Sequence, residues 1–240
     1  MQRYFIDQVV MTKEITIKDA DYHHIKNVMR MEKDDLIEIV DLKGCLYLGR
    51  IVDLNNKQVI VAIEEELKEN NEFDVEVTIA LGLVNRNKTE EVLRRAVELG
   101  ASKFLSVKLK RSVVKHIDDK LDRKEKIVKE AAEQSKRSKL MLIEETKSLK
   151  ELIEYSKDYD LKICCYEDAE KNTNSLKKLL KEKYEKILVL TGPEGGFDEA
   201  EIEVLKANDF KMVSLGKRIL RAETAPLAIL AIIAYESEQS

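Results

Sequence analysis

Apolar positions along this chain change their period near residue 75. Before it they fall in short strand-like runs: residues 36–40, then 46–52 after a turn at Lys43-Gly44, then 58–63 after a turn at Asn55-Asn56. One helical stretch interrupts them, over residues 19–31, with Ile25, Val28 and Met29 on a common face and Asp21 placed to cap its start. This reads as a small β-barrel module. The polar stretch 64–74, carrying Asn70-Asn71, reads as the linker after it.

Beyond residue 75 strands and helices alternate. Strands are predicted over 75–83, where Val75, Val77, Ile79 and Leu81 recur at period two, and over 104–107, 162–166, 187–190 and 211–215. Helices are predicted over 88–99, 118–138, 175–183, 199–207 and 226–237. Gly100 fits the residue just past the first helix, and Asp198 with Glu201 forms a capping-box signature for the fourth. Such alternation implies a mostly parallel sheet with helices on its faces, an α/β fold. No internal repeat is visible. The expected division is a barrel domain over residues 1–70 and a larger α/β domain over 74–240.

Composition narrows the class. Apolar residues make up 44% of the 240 and charged residues 37%, enough for a core beneath a well-solvated surface. No run of 18 apolar residues occurs, and the opening Met1-Gln2-Arg3-Tyr4-Phe5 lacks the apolar region of a signal peptide. A cytoplasmic location with no membrane partner is therefore expected. Three cysteines, with Cys164 and Cys165 adjacent, make no disulfide framework. With His23, His24 and His116 scattered, no zinc-ligand spacing arises and no metal is expected.

The net charge of −4 is unevenly spread. It is about −7 over residues 1–77, +8 over 78–150 and −5 over 151–240. The basic block contains Lys108-Leu109-Lys110-Arg111 with Lys115, and Lys136-Arg137-Ser138-Lys139. Lysine-rich helices are commonly no more than solvated faces. Phosphate contacts nevertheless need local patches of this kind, so the charge map permits an RNA partner without requiring one.

Two segments carry candidate chemistry. The strand over 187–190 runs into Thr191-Gly192-Pro193-Glu194-Gly195-Gly196-Phe197, a glycine-rich loop at the C-terminal end of a parallel strand, the usual ligand crevice of such sheets. It has neither the Gly-Lys-Ser/Thr ending of a P-loop nor the Gly-x-Gly-x-x-Gly spacing of a dinucleotide fingerprint. A purely structural tight turn stays open at this point. The second segment, Leu215-Gly216-Lys217-Arg218-Ile219-Leu220-Arg221-Ala222-Glu223-Thr224-Ala225-Pro226, follows the next strand and should lie beside the first. Its cations suit either a plain surface or anion contacts. The helix after it is almost wholly aliphatic from Ala225 to Ala234, which implies burial in a core or against a second subunit.

Together, Gly192-Pro193-Glu194-Gly195-Gly196 and Leu215-Gly216-x-Arg218-Ile219-Leu220-Arg221-x-Glu223-Thr224-Ala225 resemble the RsmE family, the 16S ribosomal RNA uridine-N3 methyltransferases of the SPOUT superfamily. Arg3-Tyr4-Phe5, His24 with Val28-Met29-Arg30, Glu98-Leu99-Gly100, and Glu130-Ala131-Ala132-Glu133-Gln134-Ser135-x-Arg137 match as well. The resemblance covers nearly the whole chain in order. Two departures, Asp34-Asp35 where the family usually has Gly-Asp and Met141 where it often has Pro, lie outside the two loops and bear on RNA contacts.

The resemblance implies a PUA-like β-barrel followed by a SPOUT α/β domain with a trefoil knot, acting as a homodimer on 16S rRNA, within the small ribosomal subunit, with S-adenosylmethionine as cofactor. It assigns the cofactor to Leu190, Thr191, Gly192, Gly195, Gly196, Leu215, Gly216, Ile219, Leu220 and Thr224, with Tyr166 and Glu167 as weaker candidates. RNA contacts are expected from Arg3, His24, Arg30, Arg86, Lys110, Arg111, Lys136 and Arg137. Uracil N3 must lose a proton before it can attack; a pKa two to three units above neutral makes this cost about 3–4 kcal/mol. Arg137 or Arg221, aided by Arg3 or Arg30, is expected to stabilise the deprotonated base, with Glu223 as the alternative proton acceptor. Rival readings are a related SPOUT enzyme with another target base, a noncatalytic RNA-binding module, and a nucleotide-binding metabolic enzyme.

Overall fold

The computed structural model describes residues 1–55, 57–114, 120–167 and 175–238. Asn56 of the expected turn, Lys115, His116 and the start of the predicted helix at Asp118 lie outside the described residues. The chain forms two compact units. One takes Met1–Glu72 together with Ala132–Lys139, and the other Phe73–Ala131 and Leu140–Ser240.

In the first unit, strands β1 (Gln2–Phe5), β2 (Glu14–Lys18), β3 (Leu36–Val40), β4 (Leu46–Asn55) and β5 (Gln58–Leu67) form one sheet in the order β1-β3-β4-β5-β2. Its pairs are antiparallel except β1 with β3. All five strands send side chains to one cluster, among them Tyr4, Ile15, Ile39, Ile51 and Val61. A single sheet can do this only by curling around that cluster, and two register shifts between β4 and β5 supply the bend. β1 and β2 are too short to stand out as periodic runs. The residues expected to begin the linker are instead strand: β5 continues to Leu67, and Glu65 and Glu66 face solvent while their backbone pairs with Leu48 and Tyr47.

The helical interruption also departs from expectation. α1 (Asp19–His23) passes directly into a π-turn over His24–Val28, and Lys18 rather than Asp21 stands at its start. The wider turn changes the angular step between residues, so the three apolar positions no longer share a face. Ile25 is buried, whereas Val28 is 57% and Met29 43% exposed.

Charge holds Ala132–Lys139 in this unit. The fully buried Arg3 donates to the carbonyls of Lys136 and Arg137 at 2.6 and 3.0 Å and to Glu38 at 2.8 Å. Arg137 Nε lies 2.9 Å from both carboxylate oxygens of Glu72, which also accepts from the N–H groups of Ser138 and Lys139. Burial pushes the Glu72 carboxyl up, but Arg137 and the backbone donors outweigh it and hold the group below its usual range.

The second unit contains β6 (Glu76–Gly82), α2 (Arg86–Glu98), β7 (Lys103–Lys108), all but the last three residues of α3 (Leu121–Gln134), β8 (Leu142–Ile143), β9 (Lys147–Ser148), α4 (Leu149–Tyr155), β10 (Leu161–Cys165), α5 (Leu176–Leu179), β11 (Lys186–Thr191), α6 (Glu199–Ala207), β12 (Lys211–Val213) and α7 (Thr224–Glu238). Its sheet is parallel in every pair, in the order β12-β10-β11-β6-β7-β8, with β9 also on β7. β6 lies between β11 and β7 and is buried at every position after Glu76, as a central parallel strand covered on both faces must be. α3 ends before the predicted Ser138 because Lys136 takes φ +61°, outside the helical region. α5 is a single turn rather than the predicted nine residues. α4 was not anticipated; a capping box between Ser148 and Glu151 starts it.

Glu90 joins two of these helices by accepting from Arg123 of α3 and Arg86 of α2, and those guanidiniums hold its carboxyl down at about 2. A carboxyl depressed in the folded state stabilises it above the unfolded value, and that contribution is lost as pH falls through the folded one. Glu90→Gln should therefore lower the melting temperature near pH 7 by about 1–3 °C. In thermal melts the difference from the unaltered protein should shrink as pH is lowered from 4.5 towards 2.

Candidate active site

Because the second sheet is parallel, the C-terminal ends of β6, β10, β11 and β12 lie along one edge. Loops leaving three of them wall a cavity of about 510 Å³, the size of a small-ligand site. Cys165, Tyr166 and Glu167 come from the end of β10, residues 192–197 from the loop after β11, and residues 214–222 from the loop after β12. Lys88 of α2 and Ala225 of α7 complete the lining.

Close backbone approach sets this geometry. β6 ends at Gly82, where a Cβ would stand 2.5 Å from the nitrogen and 2.6 Å from Cδ of Pro193. The loop after β11 thus rests on the end of β6. Gly216 takes φ +116° and faces open space at its Cβ position, so the backbone itself forms that part of the wall. Phe197 is buried beneath the first loop and meets Tyr166 edge-on, with ring centroids 6.3 Å apart. α6 then begins on the expected capping box, in which Asp198 accepts from the Ala200 N–H and Glu201 from the Asp198 N–H.

The charges are arranged around Lys88. Its ammonium lies 3.0 Å from Glu194 of the first loop and 3.1 Å from Glu223 of the second. The Glu194 carboxylate, which accepts a hydrogen bond from it, and then the Glu223 carboxylate push the Lys88 pKa up. Burial tends to raise Glu223, but its own backbone N–H and Lys88 leave it lower than usual, so it is ionised at neutral pH. Burial pushes the Cys165 thiol up to about 12, which keeps it protonated. Thr191 Oγ1 is buried with no hydrogen-bond partner among the described residues. Arg221 projects its side chain into solvent, 84% exposed and 4.0 Å from Glu223.

Seven of the expected cofactor residues line the cavity: Gly192, Gly195, Gly196, Leu215, Gly216, Ile219 and Leu220. Three do not. Leu190 belongs to the core, Thr191 is buried at the end of β11, and Thr224 opens α7. Tyr166 and Glu167 do line it, as do Lys88, Cys165, Phe197 and Ser214. The position of Cys165 at a parallel strand end was the one signal that could have found it; Lys88 sits on a helix and gave none.

Arg221 and Glu223 stand on the second loop, whereas Arg137 belongs to the first unit and is buried on Glu72. Arg3 is a correction among the expected RNA contacts: its side chain has no exposed surface, and its donors are engaged within the first unit. Also in that unit, His24 is half-buried with Nδ1 3.0 Å from the Tyr4 hydroxyl, Arg30 is exposed, and Lys136 is partly exposed beside Glu38. In the second unit Arg86, Lys110 and Arg111 are exposed, with Glu90 and Asp198 as their carboxylate partners.

An RNA methyltransferase domain model matches residues 71–234, and an RNA methyltransferase PUA domain model matches residues 17–64. The chain is 36% identical to the ribosomal RNA small subunit methyltransferase E of Bacillus subtilis, over 99% of this chain and 98% of that protein. The chain belongs to the RsmE family. A Synechocystis protein of the same description is 34% identical over 93% of the chain and 74% of its own length. Among solved structures, a ribosomal RNA small subunit methyltransferase E from Neisseria gonorrhoeae bound to S-adenosyl methionine superposes with a TM-score of 0.88 at 26% identity, over 98% of this chain and 97% of that one. The fold is accordingly that of an RsmE-family SPOUT α/β methyltransferase with a PUA-like sheet module. No helix among the described residues is long and apolar enough to cross a membrane.

The contact at the end of β6 can be tested in isolation. Gly82→Ala must displace Pro193 or β6, and overpacking of this kind should cost about 1–3 kcal/mol in chemical denaturation. An unchanged midpoint would mean that the loop gives way freely.

Proposed function

We propose that this chain is an S-adenosylmethionine-dependent methyltransferase of small-subunit 16S ribosomal RNA, and that its target is N3 of a uridine. The observation carrying this reading is the cavity of about 510 Å³ walled by both recognised loops, in a chain related end to end to small-subunit rRNA methyltransferases.

The residues present fit the cofactor. Phe197, Leu215, Ile219 and Leu220 give apolar surface for the adenosine and methionine portions, and Gly216 leaves open space beside them. Thr191, with its unpartnered buried hydroxyl, stands at the root of the first loop. When bound, S-adenosylmethionine supplies a methyl group activated by its positive sulfur.

What this chain must add is a way to hold the uracil base without its N3 proton. Arg221 is suited to this, because its guanidinium is free to approach a base at the cavity and offers N–H donors to the forming imidate. Glu223 is ionised, but its depressed pKa makes it a weak acceptor for a proton as tightly held as that of uracil, which favours Arg221. Arg137 is the second candidate, with its plane fixed by Glu72.

Residues 1–70 would act as the RNA-binding PUA-like domain and 74–240 as the SPOUT methyltransferase domain. His24, Arg30, Arg86, Lys110, Arg111 and Lys136 are the proposed phosphate and RNA contacts. A cytoplasmic location follows from that substrate. A homodimer is proposed through α7, where Ile232 is 40% and Tyr235 64% exposed on a helix rich in aliphatic residues.

The deciding experiment maps modified bases in small-subunit rRNA from cells lacking the gene and from the same cells with it restored. A uridine that loses and regains an N3 methyl group is expected; another base would indicate the related SPOUT activity, and no change would refute the reading. In the purified enzyme Arg221→Ala should reduce methylation about 10²–10³-fold with cofactor binding retained. Arg137→Ala strands a buried carboxylate at a cost of about 3–5 kcal/mol, so its methylation must be read per folded molecule. Unchanged rates in both variants would remove the arginine mechanism. By light scattering the protein should be a dimer that Ile232→Lys with Tyr235→Lys converts to monomer.

A further inference from the structure

Lys88 occupies a position that neither pocket loop can supply for itself. It lies in the first turn of α2, and its backbone N–H donates to the side chain of Asn85, the residue that caps the helix. The next residue, Thr89, is buried and donates its hydroxyl to the Asn85 carbonyl. The base of the Lys88 side chain is therefore fixed to a rigid element. Its ammonium meets Glu194 at 3.0 Å and Glu223 at 3.1 Å. Glu194 belongs to the loop after β11, and Glu223 follows the loop after β12 at the entrance to α7. One cation on a helix thus bridges the two walls of the cavity.

The energetics favour a coupling role over a surface pair. Glu223 Oε2 is inaccessible to solvent and accepts no hydrogen bond among the described residues; the Lys88 ammonium 3.1 Å away is its ion-pair partner, so loss of that charge removes the nearest compensation of a buried carboxylate oxygen. It also removes the cation that pairs with both carboxylates, leaving the exposed Arg221, 4.0 Å from Glu223, as the nearer charge to offset a repulsion that acts to part the walls. Both walls contribute to one cavity, so their separation governs how well a ligand fits between them.

We propose that Lys88 is a positioning residue that sets the separation of the two loops and thereby controls cofactor affinity rather than the methyl-transfer step. This rests on the S-adenosylmethionine reading above. Ion-pair geometry of this kind depends on a cation at the Lys88 position and on both carboxylates, which distinguishes it from simple packing by the lysine stem.

The test is calorimetric titration of S-adenosylmethionine into the full chain and its variants, with thermal melts to establish that each is folded. Lys88→Met should weaken binding about tenfold and raise KM for the cofactor similarly, while kcat at saturation changes by less than about threefold. Lys88→Arg, which keeps the charge, should recover most of the affinity. Glu223→Gln alone should weaken binding, but combined with Lys88→Met it should add little to the effect of the lysine change, because both remove the same bridge. If Lys88→Met melts below the assay temperature, Glu194→Gln and Glu223→Gln test the bridge from its other ends, each with weakened binding expected. Unaltered affinity in the folded variants, failure of Lys88→Arg to recover it, or additive losses in the double variant would overturn the proposal while leaving the cofactor reading intact. Failure of the unaltered chain to bind S-adenosylmethionine would overturn both.

Discussion

The second unit depends on β6 being a parallel strand with neighbours on both sides. β11 and β7 flank it in register, and every residue from Val77 to Gly82 is buried. A strand so placed can offer a ligand nothing along its length. Only its C-terminal end is available, and there it stops at a glycine with Pro193 of another loop almost touching it. The loops after β10, β11 and β12 gather at that same edge because parallel pairing aligns their strand ends. The cavity is thus a consequence of strand direction, and the particular side chains lining it are a second decision laid over that first one.

Much of this second unit was legible in the sequence because its signals are local. The span of α6 agrees with its prediction at both ends, since Asp198 and Glu201 form a capping box wherever the chain places them. Gly100, at φ +87°, likewise ends α2 as a glycine past a helix should. The first unit was harder. Glu64-Glu65-Glu66 reads as linker by polarity, yet solvent covers those side chains while the backbone completes a strand. The π-turn after His23 was invisible because one residue more per hydrogen-bonded turn leaves no compositional mark.

The same distinction applies to the site. Glycines and the cations around Ile219 advertise their loops, and seven of the ten expected cofactor residues line the cavity. Leu190 and Thr191 share the motif but belong to the strand, so their side chains are spent on the core. Lys88 could not be found by motif at all, because its meaning comes from Glu194 and Glu223, more than a hundred residues away in sequence. Arg3 shows the opposite error. The resemblance assigns it to RNA, whereas the Glu38 carboxylate and two carbonyls take its donors inside the first unit.

Arg3 and Glu72 also impose an order of events on the growing chain. All five strands of the first unit have been made once Leu67 is in place, but the carbonyls that Arg3 bonds come 133 and 134 residues after it. Glu72 likewise precedes its guanidinium partner by 65 residues. Contacts between residues so far apart in sequence slow folding more than they cost in stability. Synthesis from the N-terminus therefore completes every strand of the curled sheet well before it makes the last residues of the polar clasp.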